Sequence, residues 1–147
     1  MIRLIVYGRP SPQGSKSPKG RTASGRTIMV ESSKYVKPWR QDVKAAAEAA
    51  IERRQPWAAL DGPLRVGLIF TLAKPASAPK RKTTYPDRMP DLSKLVRATE
   101  DAITSAGIWK DDARVVELWT AKRYPNEGQD ALDRPGCVIT VEPMEAP

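Results

Sequence analysis

The strongest constraint on the fold is the stretch from Asp91 to Ala106, whose apolar residues recur at helical spacing. Leu92, Leu95, Val96, Thr99, Ala102, Ile103 and Ala106 form one stripe, Pro90 precedes it, and Gly107 offers a C-terminal stop. A stripe of this width must be buried against another layer. The partner is a sheet. Leu64, Val66, Leu68, Phe70 and Leu72 alternate along a strand that follows the Asp61-Gly62-Pro63 turn. Residues 2–7 read as an opening strand that stops at Gly8, and 115–122 and 137–142 read as two closing strands joined by a polar loop. Pro38 to Arg54 predicts a further helix, with Trp39, Val43, Ala46, Ala47, Ala50 and Ile51 on one face and an alanine-rich centre. Thr27 to Val30 suits a short returning strand. The expected fold is α/β (α+β): one domain over residues 1–147, a small mixed sheet with two main helices packed on it.

Two segments interrupt this pattern. Residues 9–26 carry Arg9, Lys16, Lys19, Arg21 and Arg26 without an acid, and are rich in Pro, Gly and Ser. Residues 74–90 carry Lys74, Lys80, Arg81, Lys82 and Arg88 against Asp87 alone, and are broken by four prolines. Both are expected to be basic, irregular loops; a long loop in a small domain is usually functional or disordered. They hold much of the formal net charge of +8, which favours an anionic partner over simple solubility. Sequence-independent phosphate contacts suit such loops.

The chemistry is bounded by what is missing. The chain has no histidine and one cysteine, Cys137. Ser-His-Asp triads, imidazole bases, histidine-ligated zinc, internal disulfides and thiolate clusters are all excluded. A metal, if bound, would be a hard ion held by oxygen, such as Mg²⁺ or Mn²⁺. No stretch approaches the ~20 apolar residues of a membrane span, and the opening strand is too short for a signal-peptide core. The expected location is intracellular.

The acids fall in three places: Asp91 at the start of the long helix, Asp101 on it, and the pair Asp111-Asp112 before the next strand. Each singly reads as ordinary: an N-cap, a surface pair with Arg97, a polar turn. Ser93, Arg97, Asp101 and Thr104 share one side of the helix. Asp91 and Asp112 meet only if the sheet returns the strand toward the helix start, or if another subunit contributes.

The run from Pro90 to Ala98, then Asp101-Ala102-Ile103-Thr104, then Ala106 to Val116 with its Asp111-Asp112 pair, resembles the signature of RusA-type Holliday junction resolvases, a family often encoded by phages and prophages. Weaker agreement extends to Tyr7-Gly8-Arg9-Pro10, to Tyr35, Trp39 and Arg40, and to Lys122. The resemblance implies a homodimeric α/β endodeoxyribonuclease that resolves four-way or other branched DNA in recombination and repair, using Mg²⁺ or Mn²⁺. It implies metal-binding carboxylates at Asp91 and Asp112, a basic helix residue at Arg97, and further acids at Asp101 and Asp111. The clustered basic residues themselves, Arg9, Lys16, Lys19, Arg21, Lys80, Arg81, Lys82 and Lys94, are the expected DNA contacts. Ser93 stands where the family places a second aspartate. A hydroxyl ligates Mg²⁺ without charge, so the same fold is also compatible with a branched-DNA-binding protein that cuts weakly or not at all. A basic protein-interaction adaptor is the reading from another class. Trp39, Trp57 and Trp119 suit core or interface positions, whereas Trp109, beside the acidic pair, is the exception that also suits a base-stacking role.

Overall fold

A computed structural model describes residues 1–14, 16–21, 27–31 and 34–147, with the side chains of 16–21 and 27–31 left aside. Six strands and two helices follow in the order β1 (Ile2–Tyr7), β2 (Lys16–Arg21), β3 (Thr27–Glu31), α1 (Val36–Glu52), β4 (Leu64–Thr71), α2 (Leu92–Ala106), β5 (Val115–Arg123) and β6 (Gly136–Pro143). A single 3-10 turn, Asp112–Arg114, leads into β5. The main sheet has the order β1-β6-β4-β5. β6 pairs antiparallel with both β1 and β4, whereas β4 and β5 run parallel. The expected mixed sheet with two helices is therefore present.

The alternation read from the sequence selects the faces. Ile2, Leu4 and Val6 of β1, Leu64, Val66, Leu68 and Phe70 of β4, and Cys137, Ile139 and Val141 of β6 turn to the helices. Trp39, Val43, Ala47 and Ala50 of α1 and Leu95, Ala98, Ala102 and Ile103 of α2 complete that core. The opposite face carries a smaller cluster, Ile69 and Val138 capped by Leu132. β4 is thus buried on both faces at its C-terminal end.

Two buried polar groups lock the helices together. The Trp39 indole N–H donates to Thr99 Oγ1 at 3.1 Å, and that hydroxyl donates to Leu95 O at 2.8 Å. Gly107 ends α2 in the left-handed region, as expected of a C-terminal glycine, and its carbonyl accepts from the Trp57 indole at 2.9 Å.

Three expectations need correction. The 9–26 segment is not a continuous loop, because Lys16–Arg21 pairs as a strand with Thr27–Glu31. Its side chains Lys16, Lys19, Arg21 and Arg26 lie outside the described residues. The first helix starts at Val36, ahead of Pro38, and ends at Glu52. Pro38 stays within the first turn, where the backbone N–H has no intrahelical acceptor to lose. Trp109 is 1% exposed and donates to Thr104 Oγ1, so it belongs to the core.

Candidate nucleic-acid and metal site

β1, β4 and β5 point the same way, because each neighbour of β6 runs against it and β5 follows β4. The chain leaves the C-terminal ends of β1 and β4 into the two basic segments. α2 starts at that same end: Lys122 Nζ, near the end of β5, donates to Arg88 O at 2.9 Å and Pro90 O at 3.0 Å. Asp91 follows directly as the N-cap of α2, exposed, with Lys94 Nζ at 3.6 Å. The first basic segment is tied to the same place. Gln13 N–H donates to Lys94 O at 3.1 Å, while Arg40 donates to Gln13 Oε1 at 2.6 Å. Arg9 stacks on the Tyr35 ring, 3.7 Å from its centroid.

The second basic segment is anchored rather than free along its length. Lys74 and Glu127 form a largely buried ion pair, and Glu127 also accepts from Thr84 N–H at 2.9 Å. The Lys74 ammonium holds the Glu127 carboxyl below its ordinary range. Lys80, Arg81 and Lys82 are exposed, and among the described residues none of them forms an ion pair. Between the two segments lies a cleft of about 480 Å³ whose largely apolar lining includes Leu72, Pro86 and Pro90, with Arg9 and Arg88 beside them. Asp91 thus adjoins a groove whose charges are positive and whose walls are apolar.

The other acids stand elsewhere. α2 rises about 1.5 Å per residue, which puts roughly 14 Å between Asp91 and Glu100 along its axis. Asp112 lies close enough to Glu100 for the two charges to repel, and Asp101 repels both. Burial and these neighbours raise the Glu100 carboxyl from 4.5 to about 7, burial being the larger cause. Asp112 is raised chiefly by its hydrogen bond with Asp111, whose own carboxyl is lowered by the Ala113 N–H at 2.7 Å. Among the described residues, no cation pairs with Glu100, Asp101 or Asp112.

So the structure gathers Glu100, Asp101, Asp111 and Asp112 at one end of α2, and Asp91, Ser93 and Lys94 at the other, with Arg97 exposed between them. It does not bring Asp91 and Asp112 together within one chain, because β5 starts at the end where α2 finishes. Among the described residues no three carboxylates stand close enough to ligate one ion. The donor chemistry fits a hard cation, whereas the donor count within one chain does not. Sequence reasoning does not single out Glu100. The signal for it is the adjacent Glu100-Asp101 pair near the end of a helix that turns at Gly107 toward Asp111-Asp112.

No helix is long and apolar enough to cross a membrane. The chain is 30% identical over 135 residues to the Uncharacterized protein YqaN of Bacillus subtilis (strain 168), covering 86% of this chain and 89% of that protein. The family model described as Endodeoxyribonuclease RusA matches residues 10–141, which include the first basic segment beyond Arg9, the second basic segment, and the whole of β4, α2 and β5. The chain therefore belongs to the RusA endodeoxyribonuclease family.

Proposed function

We propose that this protein is a divalent-metal-dependent endodeoxyribonuclease that cuts four-way or other branched DNA as a homodimer. The observation that carries this reading is the pairing, on one helix, of an uncompensated carboxylate cluster with an end flanked by basic segments. Glu100, Asp101 and Asp112 repel one another with no paired cation among the described residues, an arrangement that a Mg²⁺ or Mn²⁺ ion would relieve. Asp112 and Asp91 are the proposed principal ligands, with Asp101, Glu100 and the Ser93 hydroxyl as further oxygens. A bound ion would supply an activated water and charge neutralisation at the phosphate. Arg97 and Lys94 face solvent on the same helix and would offset phosphate charge. Arg9, Lys80, Arg81 and Lys82, with the arm residues Lys16, Lys19 and Arg21, would hold the backbone without reading sequence.

Ser93 favours a second reading, in which the protein binds branched DNA and cuts it poorly, since the position brings no charge to the ion. Incubation with a labelled four-way junction in Mg²⁺ or Mn²⁺ separates the two. Paired, symmetric nicks that vanish with Asp112→Asn support the endonuclease. Salt-sensitive junction binding without nicks in either metal supports the second reading. Equal affinity for junction and linear duplex refutes both.

A further inference from the structure

Resting on the branched-DNA reading, we infer that the cleft beside Asp91 receives one unstacked nucleobase of the bound DNA. Capture of that base, rather than phosphate contact, is what separates a branch point from linear duplex.

The lining fits a nucleotide and little else. Five of the residues around the cleft are prolines: Pro10, Pro75, Pro86, Pro90 and Pro135. Proline has no backbone N–H, so these walls present ring carbons and no donor that must keep its water. Charge enters only through Arg9 and Arg88, and no carboxylate lines the cleft. Among the described residues neither arginine forms an ion pair. Tyr35 covers one face of the Arg9 guanidinium at 3.7 Å, which leaves its in-plane donors to a ligand. An apolar peptide would leave both guanidiniums without a counter-charge, and a free inorganic anion would leave the prolyl walls uncovered. A nucleotide satisfies both, with π faces for the ring carbons and phosphates for the guanidinium forks. The volume of about 480 Å³ falls within the roughly 300–1,000 Å³ of small-ligand sites, which suits one nucleotide and not a duplex.

The walls are set before any ligand arrives. Lys122 Nζ holds Arg88 O and Pro90 O, Leu72 N–H donates to Arg123 O at 2.8 Å, and Gly8 N–H donates to Pro135 O at 3.2 Å. These ties fasten separate walls to the ends of β5 and β1. A site already in its bound shape loses little ordering entropy on binding. Its rim stays uncovered: Met89, which lines the cleft, is 86% exposed, and Tyr85, just before Pro86, is 76% exposed. Both offer apolar surface to a neighbouring base.

Position ties the cleft to cutting. Pro90 lines it and Asp91 is the next residue, about 3.8 Å on along the chain. A base seated there brings its own backbone beside the carboxylate proposed to hold the ion. The basic segments cannot make this choice, because phosphate contacts position the DNA without reading it. Drawing a base from intact duplex breaks its pair and its stack. At a branch point the stack is already interrupted, so the same movement costs less.

The test titrates the full-length protein, in EDTA to prevent cutting, against immobile four-way junctions carrying 2-aminopurine at each branch-point position in turn or in mid-arm. This base brightens when it leaves the stack. Fluorescence is expected to rise at a branch-point position and not in mid-arm. Ala73 is exposed and lines the cleft, so Ala73→Leu narrows it without entering the core. The variant should lose the rise and about fivefold or more of its junction affinity, with its affinity for linear duplex retained. Junction binding tighter than duplex binding, with no rise at any branch-point position, overturns the base site and leaves the branched-DNA reading standing. A rise undiminished in Ala73→Leu overturns it too, since the base then sits elsewhere, as does unaltered junction affinity, which would give the cleft to another occupant such as an apolar peptide. Equal affinity of the wild type for junction and duplex removes the branched-DNA reading and the base site together.

Discussion

Glu100→Gln tests the acidic cluster without any DNA. In the folded protein the Glu100 carboxyl is raised from 4.5 to about 7 by burial and by Asp112 and Asp101. A raised carboxyl pKa means that the folded state holds its proton more tightly than the unfolded chain. Any advantage is therefore complete below the unfolded value of 4.5 and is lost as pH climbs through about 7. For a wholly buried group this displacement corresponds to roughly 3 kcal/mol at about 1.36 kcal/mol per tenfold change. Glu100 is half-buried, and solvent screening reduces the expected effect to about 1 kcal/mol. Unfolding by urea in EDTA should show the wild type losing about that much more stability than Glu100→Gln between pH 4.5 and about pH 8. At the upper end of that range, Mn²⁺ should recover stability in the wild type and do so less in the variant, because the ion and the glutamine relieve the same repulsion. Parallel pH profiles for the two proteins, or equal stabilisation of both by Mn²⁺, would show that Glu100 is not held in a strained acidic cluster.

Other outcomes follow from the same geometry. Thr99→Val keeps the volume but leaves the buried Trp39 N–H without its acceptor, at an expected cost of about 1–3 kcal/mol in chemical denaturation; an unchanged midpoint would show that the hydrogen bond does not couple α1 to α2. Replacing Lys80, Arg81 and Lys82 together with Ala should weaken junction binding and flatten its log–log salt dependence by about 2–3, near ~0.9 for each phosphate no longer neutralised. An unaltered slope would remove this segment from the DNA interface. Ser93→Asp restores a charge at the position where the family carries aspartate, and should raise cleavage or lower the Mn²⁺ concentration required; no change in either would exclude the hydroxyl from the ion's surroundings.

The parts of this fold that are legible in the sequence are those decided within one element. The stripe from Leu92 to Ala106 and the alternation from Leu64 to Leu72 each repeat often enough to define a face, and the faces they define are the buried ones. The Lys16–Arg21 strand is not legible, because Lys-Ser-Pro-Lys-Gly-Arg lacks the β-branched and aromatic residues that mark strands. Only its pairing with Thr27–Glu31 makes it one. The site is legible as residue types and spacing but not as distances. Whether Asp112 returns to Asp91 depends on β5 lying parallel to β4, a long-range fact that no local pattern carries. Glu100 is hidden for a related reason: its raised pKa comes from burial beside core residues and from Asp112, a neighbour across the turn at Gly107. Trp119 is legible as an element-edge residue suited to an interface, but its exposure follows from β5 ending the sheet.

The most direct test of the metal-dependent endonuclease reading maps the cuts on all four strands of one immobile four-way junction in Mn²⁺, with the wild type and Asp112→Asn side by side. Nicks are expected in two opposed strands at symmetric positions, dependent on the ion, and absent with Asp112→Asn while junction binding persists. Cleavage that continues in EDTA, or that survives Asp112→Asn, would contradict that reading.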